Sequence, residues 1–307
     1  MSTTATKGLG LSFLFFYCLA SAALQAANST TLPARTLQGY LMVVSVNVND
    51  HGPFDFLVDT GTNTTLIDPA LAKELALHAK DKLELSSLAR AAAVPRYFLQ
   101  KFNVGPATIS NLEALAVPLT QLTALDHKIR GVLGMNFLLH FSFRLDYDHK
   151  LMELYPFPED AVVPAGLRVP VLLNDSRLLI SVVSKAAPHG SWNLALDSGI
   201  CQPLVFEERI EKSAVAGNKL AKNNRVMQVS TNLAEHTGAT VLLNDVSIAN
   251  AKLPRMEVVI LKNDLQKPTD PQDGLLPAVA FHSVFFDRSN ATVIFSPPPE
   301  DAELAKQ

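Results

Sequence analysis

The first pattern along the chain is that of a β-hairpin that ends on an acidic residue. Residues 41–48 are rich in β-branched side chains, residues 49–53 have the composition of a turn, and residues 54–58 form an apolar return strand. Asp59 and Gly61 come directly after this strand. Because glycine is the residue that tight turns favour, the pattern predicts a strand that presents the Asp59 carboxylate at its end.

The same pattern occurs again 138 positions later. Residues 189–199 align with residues 51–61 without a gap, and they bring Asp197 to the position of Asp59. The strands of this second hairpin are predicted at 178–183 and 192–196. Two further pairs of blocks follow in the same order, 131–134 with 274–277 and 145–154 with 286–295. Two copies with one long period predict a duplicated domain rather than a solenoid.

Helical signals are sparse in both copies. Residues 69–76 and 206–212 each predict a short helix soon after the aspartate. The chain is therefore expected to be mostly β, with two similar lobes and few helices. The expected boundaries are 36–157 for the first lobe, 158–166 for a linker, 167–299 for the second lobe and 300–307 for a charged tail.

The N-terminal segment 1–27 has the composition of a secretory signal peptide. Lys7 is the only charged residue before Arg35, an apolar stretch covers residues 11–23, and small residues follow it. We therefore expect export to the periplasm or to the outside of the cell. The stretch is short for a membrane span, which needs about 20 residues. An uncleaved N-terminal anchor is the alternative, and it is the one membrane association that the sequence allows.

Composition excludes several classes of protein. The chain has 48% hydrophobic and 18% charged residues, which is too apolar for a disordered protein. Its 26 basic and 29 acidic residues lack the basic excess of a nucleic-acid binder. Cys18 and Cys201 are too few for a disulfide scaffold or a cysteine zinc cluster. No zinc-protease, phosphate-loop, dinucleotide or serine-hydrolase motif is present, so we expect neither a metal nor a cofactor.

The two aspartates carry a resemblance to a known family. Residues 56–62, Phe-Leu-Val-Asp-Thr-Gly-Thr, resemble the active-site signature of aspartic proteases, and residues 194–199, Leu-Ala-Leu-Asp-Ser-Gly, repeat it. Residues 131–134 are similar to the glycine-containing strand behind the catalytic loop of that family. The spacing is most similar to bacterial retropepsin-like aspartyl proteases, here fused in tandem as in the two-lobed pepsins. The resemblance implies two acid-protease β-barrel lobes, related by a pseudo-two-fold axis, with a cleft between them.

The resemblance also implies roles for individual residues. Asp59 and Asp197 would be the catalytic pair, with one proton shared between two adjacent carboxylates that act as base and acid toward a water molecule. Further residues would support this pair: Thr60 and Ser198 by hydrogen bonds to the opposite loop, Thr62 by donation to Asp59, and Gly61 and Gly199 by close approach of their amides. The substrate would be a peptide or an unfolded protein. Because one chain supplies both aspartates, we expect a monomer.

Three features of the second lobe and the flap region depart from the family pattern. Ile200 stands where the family usually has Ser, Thr or Ala, and Pro277 stands where the first lobe has Gly134. No Tyr-Gly-x-Gly flap sequence is present, and Tyr97 is the candidate for a substrate contact in that region. Two alternatives therefore remain open: a catalytically inactive protein that binds extended peptides in the cleft, and a homodimer in which only the first lobe is catalytic.

Overall fold

The computed structural model describes residues 29–86, 91–156, 163–211, 226–231, 234–262 and 270–296. The expected signal peptide 1–27, the tail 300–307 and positions 158–162 of the expected linker lie outside the described residues. Among the described residues, no helix is long and apolar enough to cross a membrane.

The first half of the chain contains eleven described strands and three short helices. The strands are β1 Thr30–Pro33, β2 Arg35–Leu37, β3 Leu41–Val48, β4 His51–Val58, β5 Thr65–Ile67, β6 Asp81–Ser86, β7 Ala91–Val104, β8 Ala107–Ala116, β9 Ile129–Leu133, β10 Phe141–Asp146 and β11 Leu151–Pro156. The helices are α1 Pro69–Glu74, α2 Thr120–Leu125 and α3 Met135–Leu138.

The second half contains twelve described strands and two 3₁₀ turns. The strands are β12 Leu167–Asn174, β13 Arg177–Val183, β14 Ser191–Asp197, β15 Leu204–Phe206, β16 Val226–Thr231, β17 Ala234–Leu243, β18 Ser247–Ile248, β19 Ala251–Lys252, β20 Met256–Leu261, β21 Gly274–Pro277, β22 Ser283–Asp287 and β23 Thr292–Phe295. The 3₁₀ turns are Glu207–Arg209 and Ala278–Ala280. The prediction of a mostly β chain with few short helices is confirmed.

The two halves form lobes with the same strand order. The first lobe has the order β2-β3-β4-β9-β5-β8-β7-β6, and the second continues from β12 as β13-β14-β21-β15-β20-β17-β16. In each lobe the strand that ends on the aspartate pairs in parallel with the glycine-containing strand: Leu57 lies opposite Val132, and Leu196 lies opposite Leu276. Equivalent neighbours with equivalent directions relate the lobes by a pseudo-two-fold axis.

A six-stranded sheet joins the lobes. Its order is β1-β11-β10-β22-β23-β12, three strands from each half of the chain. At its centre β10 and β22 pair antiparallel, with Phe143 opposite Phe286 and Leu145 opposite Val284. A central antiparallel pair of equivalent strands is what a pseudo-two-fold axis requires. The sheet therefore fixes the relative position of the two halves, and with it the position of the two aspartates.

Among the described residues, three clusters of buried apolar side chains form the core. The largest spans both lobes and includes Phe102 and Trp192, which are almost fully buried. A second cluster belongs to the first lobe and includes Leu57 and Leu66. A third cluster belongs to the second lobe, and Ile200 is one of its members.

Two local predictions differ from the structure. The turn predicted at 49–53 is shorter, because His51 already pairs with Val48 in the hairpin β3–β4. The helix predicted at 206–212 is only the 3₁₀ turn Glu207–Arg209. The helix does not continue because the Arg209 carbonyl accepts a hydrogen bond from the Trp192 indole and the Glu211 amide donates to Ala186 instead.

Candidate active site

The structure brings the two aspartates together between the lobes. Asp59 follows β4, where its amide donates to the Leu133 carbonyl at 3.0 Å, and Asp197 ends β14. The ends of both strands next to the aspartates are buried, and the aspartates are only 3% and 7% exposed. The two carboxyl groups hydrogen-bond to each other. Two carboxyls in such contact in a buried site hold one proton between them.

Four hydrogen bonds lock the two catalytic loops in a reciprocal arrangement. The Thr60 hydroxyl donates to the Leu196 carbonyl at 2.8 Å and accepts from the Ser198 amide at 3.0 Å. The Ser198 hydroxyl donates to the Val58 carbonyl at 2.9 Å and accepts from the Thr60 amide at 3.0 Å. Both side chains are at most 1% exposed. Each hydroxyl therefore satisfies buried backbone groups of the opposite lobe, which holds the carboxyls in register.

The glycine after each motif allows the carboxylates to meet. Gly61 donates from its amide to Asp59 at 2.8 Å, and Gly199 donates to Asp197 at 2.6 Å. A Cβ atom on Gly61 would overlap the Asp197 carboxylate, and one on Gly199 would lie 3.1 Å from Asp59 Oδ1. The close approach of both loops therefore requires glycine at these two positions.

The two aspartates differ in their other donors. The Thr62 hydroxyl donates to Asp59 Oδ2 at 2.8 Å. The equivalent residue, Ile200, is 4% exposed and packs with the apolar cluster of the second lobe, beside Leu179 and Leu204. Since an aliphatic side chain cannot donate a hydrogen bond, Asp197 lacks the side-chain donor that Thr62 supplies to Asp59.

This difference separates the proton affinities of the two groups. Burial raises the pKa of Asp59, and the hydrogen bonds from Thr62 and Gly61 oppose this increase. The pKa of Asp197 is raised well above the ordinary carboxyl value, first by burial and then by the charge of Asp59. The shared proton therefore resides mainly on Asp197, and Asp59 is the more ionised member of the pair.

The Pro277 departure belongs to a coordinated replacement in the second lobe. In the first lobe, the Gly134 amide donates to the Thr65 hydroxyl at 3.3 Å, and Asn136 Oδ1 accepts from both the amide and the hydroxyl of Thr65 at 2.8 Å. The Asn136 amide group in turn donates to the Glu113 carbonyl at 2.8 Å. These residues form a small buried polar network behind the first catalytic loop.

Strand register identifies the equivalent residues in the second lobe. Leu66 lies opposite Val132, and Leu204 lies opposite Leu275. Counting along the strands from these pairs matches Thr65 with Pro203, Gly134 with Pro277 and Asn136 with Val279. The second lobe therefore lacks both the hydrogen-bond donors and the hydrogen-bond acceptors that these three positions supply in the first lobe. Replacement of both partners of a hydrogen bond by apolar groups costs far less than loss of one partner, which explains how the second lobe accommodates Pro277 together with Pro203 and Val279.

Three residues near the pair were not singled out from the sequence. The Tyr40 hydroxyl hydrogen-bonds to the Cys201 thiol of the other lobe. Burial is the largest cause of the raised pKa of Tyr40, followed by Cys201 and then by the charge of Asp197. Burial, and then the charges of Asp197 and Asp59, raise the pKa of Tyr147, whose buried hydroxyl has no hydrogen-bond partner among the described residues. Their positions depend on how the lobes pack, and no local motif marks them. Arg177, at the start of β13, is close enough for its charge to oppose the increase in the pKa of Asp197 that burial and Asp59 cause.

The remaining candidate, Tyr97, lies on the hairpin β6–β7. It pairs with Ala114 of β8, and its half-buried ring packs against the large core cluster. Its part in substrate binding stays a prediction. Among the described residues, no group of three or more His, Cys, Asp or Glu side chains is placed to hold a metal ion.

The fold and the site define a class, the two-lobed acid proteases with one aspartate from each lobe. The model of the Aspartyl protease family matches residues 44–137. The aspartic proteinase from Irpex lacteus is similar in structure, with a TM-score of 0.53 and 12% identity over 91% of this chain and 100% of that chain. A retropepsin-like aspartic protease from Rickettsia conorii matches with 21% identity and a TM-score of 0.31, over 41% of this chain and 89% of that chain.

No curated protein matches the chain. The family model matches most of the first lobe, and the two-lobed fold is similar to that of an aspartic proteinase over nearly the whole chain; both findings support the aspartic protease superfamily. The expected family and fold class are thereby confirmed.

Proposed function

We propose that this protein is an exported aspartic endopeptidase that hydrolyses peptide bonds with the Asp59–Asp197 pair. The observation that carries the proposal is the buried, mutually hydrogen-bonded pair of carboxyls held by the Thr60 and Ser198 hydroxyls. An aspartate with only a structural role at a turn is stabilised by solvent or by nearby hydrogen-bond donors. Such a role does not explain contact with a second buried carboxyl from the other lobe. Two such groups are costly to bury, and the arrangement is the one that acid–base catalysis on water requires.

The reaction divides between the two carboxyls. Asp59, the more ionised group, takes a proton from a water molecule while the water oxygen forms a bond to the carbonyl carbon of the peptide. Asp197 gives its proton to the carbonyl oxygen. When the resulting tetrahedral diol collapses, the leaving amine takes the proton held by Asp59, the C–N bond breaks, and one diol hydroxyl returns its proton to Asp197 as the carboxyl product forms. The same two groups thus supply the base and the acid, with no covalent intermediate.

Support for export comes from the signal-peptide composition of residues 1–27. We accordingly propose a periplasmic or secreted location. The proposal of a monomer rests on the two aspartates, which meet within one chain, so that the catalytic pair needs no residue from a second copy. The same observation disfavours a dimer in which only the first lobe is catalytic.

The inactive alternative rests on Ile200, which leaves Asp197 without a side-chain donor. An inactive relative would hold an extended peptide between its lobes as an added strand. The matched replacements at Pro203, Pro277 and Val279 preserve the backbone arrangement of the second lobe, so Pro277 by itself does not favour the inactive alternative.

The test is cleavage of an unfolded protein such as denatured casein, with and without a pepstatin-like inhibitor, by the wild type and by Asp59→Asn. We expect fragments from the wild type, inhibition by the peptide analogue, and a loss of rate of about 100-fold or more in Asp59→Asn, because an amide cannot act as a general base. A folded Asp59→Asn variant that retains above roughly a tenth of the rate would contradict the role of Asp59. Binding without cleavage by both proteins would support the inactive alternative.

A further inference from the structure

Each catalytic loop is contacted by a hairpin tip of the opposite lobe. Asp175 lies in the turn between β12 and β13, and its Oδ2 atom accepts a hydrogen bond from the Asn63 side-chain amide at 3.1 Å. On the other side of the pair, Tyr40 lies in the turn between β2 and β3 and hydrogen-bonds to Cys201. Asn63 and Cys201 each lie four residues after the aspartate of their own lobe. The two contacts therefore occupy equivalent places in the duplicated fold.

A tight turn fixes the position of Asp175. Asp175 and Ser176 have positive φ angles of 45° and 61°, as in the two-residue turns that match the twist of antiparallel strands. Asn174 and Arg177 pair on either side of this turn. The Arg177 guanidinium lies 3.4 Å from the same Asp175 oxygen that accepts from Asn63. The turn thus presents the carboxylate to the first lobe, with a cation of its own lobe beside it.

The residue that Asp175 contacts comes directly after the hydroxyl donor of Asp59. Thr62 donates to Asp59 Oδ2 at 2.8 Å, and Asn63 is the next residue. Helix α3 holds this segment from the first lobe, since two amides at the start of the helix donate to the Thr62 and Asn63 carbonyls at 2.8 and 3.1 Å. Asp175 contacts the same segment from the second lobe. The segment that carries the Thr62 donor is therefore fixed between the two lobes.

Building on the proposed protease function, we propose that Asp175 is a positioning residue for the general base, because it holds Asn63 from the opposite lobe and so keeps the Thr62 hydroxyl directed at Asp59. The Thr62 hydrogen bond stabilises the ionised form of Asp59. Loss of the contact between Asp175 and Asn63 loosens this donor and makes the ionisation of Asp59 harder.

The charges around the pair give this effect a sign of its own. Asp59 faces Asp197 and Tyr147, and the raised pKa of Tyr147, mainly from burial, keeps that residue neutral. The charge of Arg177 opposes the increase in the pKa of Asp197 that burial and Asp59 cause. Removal of the Asp175 charge alone would leave Arg177 less neutralised and would make ionisation of the pair easier. Loss of the hydrogen bond makes it harder, so the direction of the shift separates positioning from charge.

The experiment compares pH–rate profiles on a peptide substrate for the wild type, Asn63→Ala, Asp175→Ala and the double variant. Asn63→Ala changes no charge. It should move the acid limb to higher pH and lower the relative rate on that limb about threefold, as expected for partial loss of one hydrogen bond. Asp175→Ala should move the limb in the same direction. The double variant should move it no further than the larger single shift, because both substitutions remove the same contact.

Two controls separate the hydrogen bond from charge and from surface substitution in general. Asp175→Asn keeps an acceptor oxygen for Asn63 and should not move the acid limb to higher pH. Asp50→Ala removes an exposed carboxylate whose partner, Lys101, belongs to the same lobe, and it should leave the profile unchanged.

Several results would overturn the proposal. These are coincident profiles for the wild type and Asn63→Ala, a shift to lower pH in Asp175→Ala, additive shifts in the double variant, or an equal shift in Asp50→Ala. A changed KM with an unmoved profile in Asn63→Ala would show that these residues bind substrate directly, and would also overturn it.

A second readout does not depend on turnover. A carboxyl whose native pKa is raised loses stability as pH rises above its unfolded value of about 3.9. A further increase in the pKa of Asp59 enlarges this loss, so Asn63→Ala should show a larger fall in unfolding temperature between about pH 4 and pH 7 than the wild type. In an Asp59→Asn background this extra fall should disappear; if it persists, it does not arise from Asp59 and the positioning role is wrong.

The two readouts distinguish failure of the positioning role from failure of the protease function. If the wild type cleaves nothing but the Asp59-dependent difference in stability is present, the protease function fails and the positioning role of Asp175 stands. If the wild type cleaves and Asn63→Ala changes neither readout, the protease function stands and the positioning role fails.

Discussion

The two aspartates show how identical residues acquire different roles from their neighbours. Asp59 accepts from Gly61 and Thr62, whereas Asp197 accepts from Gly199 and faces the apolar side chain of Ile200. Hydrogen bonds to the ionised form lower a carboxyl's pKa, and burial raises it. The donor count therefore favours the proton on Asp197 and, under the proposed function, the general-base role for Asp59. If both aspartates had the same hydrogen-bond donors, the protein itself would not favour the proton on either of them.

The Tyr147 hydroxyl is a second residue-scale feature with a measurable consequence. It is buried without a hydrogen-bond partner among the described residues, and an unpaired buried hydroxyl costs about 1–3 kcal/mol. We predict that Tyr147→Phe increases the free energy of unfolding by about 1 kcal/mol, measured by denaturant titration. Tyr155→Phe, on the neighbouring strand β11, is the control, because the Tyr155 hydroxyl donates to Glu153 at 3.0 Å and its loss should not stabilise the protein. A destabilised Tyr147→Phe would show that the hydroxyl has a partner, such as an internal water.

At the scale of elements, each aspartate is presented by a strand that is held from behind by the glycine-containing strand. In the first lobe a polar network of Thr65, Gly134 and Asn136 secures the connection between β5, β9 and α3. In the second lobe the equivalent β15 and β21 have prolines at the matching positions. The same backbone arrangement is thus stabilised in two ways, by hydrogen bonds in one lobe and by apolar residues in the other.

This difference predicts unequal tolerance of the two lobes to substitution. Asn136→Val places in the first lobe the residue that the second lobe has at 279, but it leaves the Thr65 amide and the Glu113 carbonyl without their partner. We expect a loss of roughly 2–4 kcal/mol in the free energy of unfolding, since each buried group left unpaired costs about 1–3 kcal/mol. Asn47→Val, at an exposed position of β3, is the matched control and should be nearly neutral. A loss below about 0.5 kcal/mol in Asn136→Val would contradict the account.

At the scale of the whole molecule, two buried acids are brought together by the six-stranded sheet and the reciprocal hydroxyl contacts. Their proximity lowers the stability of the folded protein by an amount that depends on pH. The pKa values of Asp59 and Asp197 are both raised in the folded protein. Over the range from about pH 4 upward, the unfolded chain releases protons that the folded protein retains, so the native state loses stability as pH rises. Below that range the pair is protonated in both states and this penalty is absent.

We predict that Asp197→Asn flattens the dependence of stability on pH. The amide cannot ionise, so the variant should gain stability relative to the wild type as pH rises from 4 to 7. The measurement is the free energy of unfolding at several pH values for both proteins. Two other aspartates also have shifted pKa values: burial raises that of Asp273, and hydrogen bonds from His149 and the charge of Arg144 outweigh burial and lower that of Asp146. Their contributions are the same in both proteins, so the difference in unfolding free energy between wild type and variant reports on the pair. A constant difference across this range would refute a raised pKa for Asp197.

The same pair sets the pH range of activity. Under the proposed function, catalysis requires one proton on the pair, and this state exists between the two pKa values with which the pair titrates. Because both values are raised, we predict an optimum on the acidic side of neutrality, with activity that extends to higher pH than two ordinary carboxyls would allow. The check is a rate profile on a peptide substrate from about pH 3 to pH 9. A rate that rises steadily to about pH 9 would indicate a different mechanism.

Much of the fold was predictable because local chemistry repeats. The β-branched strand, turn and apolar return strand of residues 41–58 and their repetition 138 positions later indicate two hairpins, and the glycine after each aspartate motif indicates a tight turn. The sequence does not show at which residue a turn ends. His51 belongs to the strand because it pairs with Val48. The helix expected after Phe206 was limited to one 3₁₀ turn by contacts with Trp192 and Ala186, which are tertiary.

By itself, then, the sequence determines the duplication, the β class and the identity of the two acids, since these depend on residue type and on spacing along the chain. Only the tertiary structure decides that Asp59 and Asp197 share a proton, that Thr60 and Ser198 hold each other's loops, and that Pro277 is matched by Pro203. These features depend on contacts between residues far apart in the chain, and their energies arise from burial in a site that neither lobe forms alone. Local sequence patterns predict the strands, whereas the contact between the two carboxyl groups depends on how the two lobes pack.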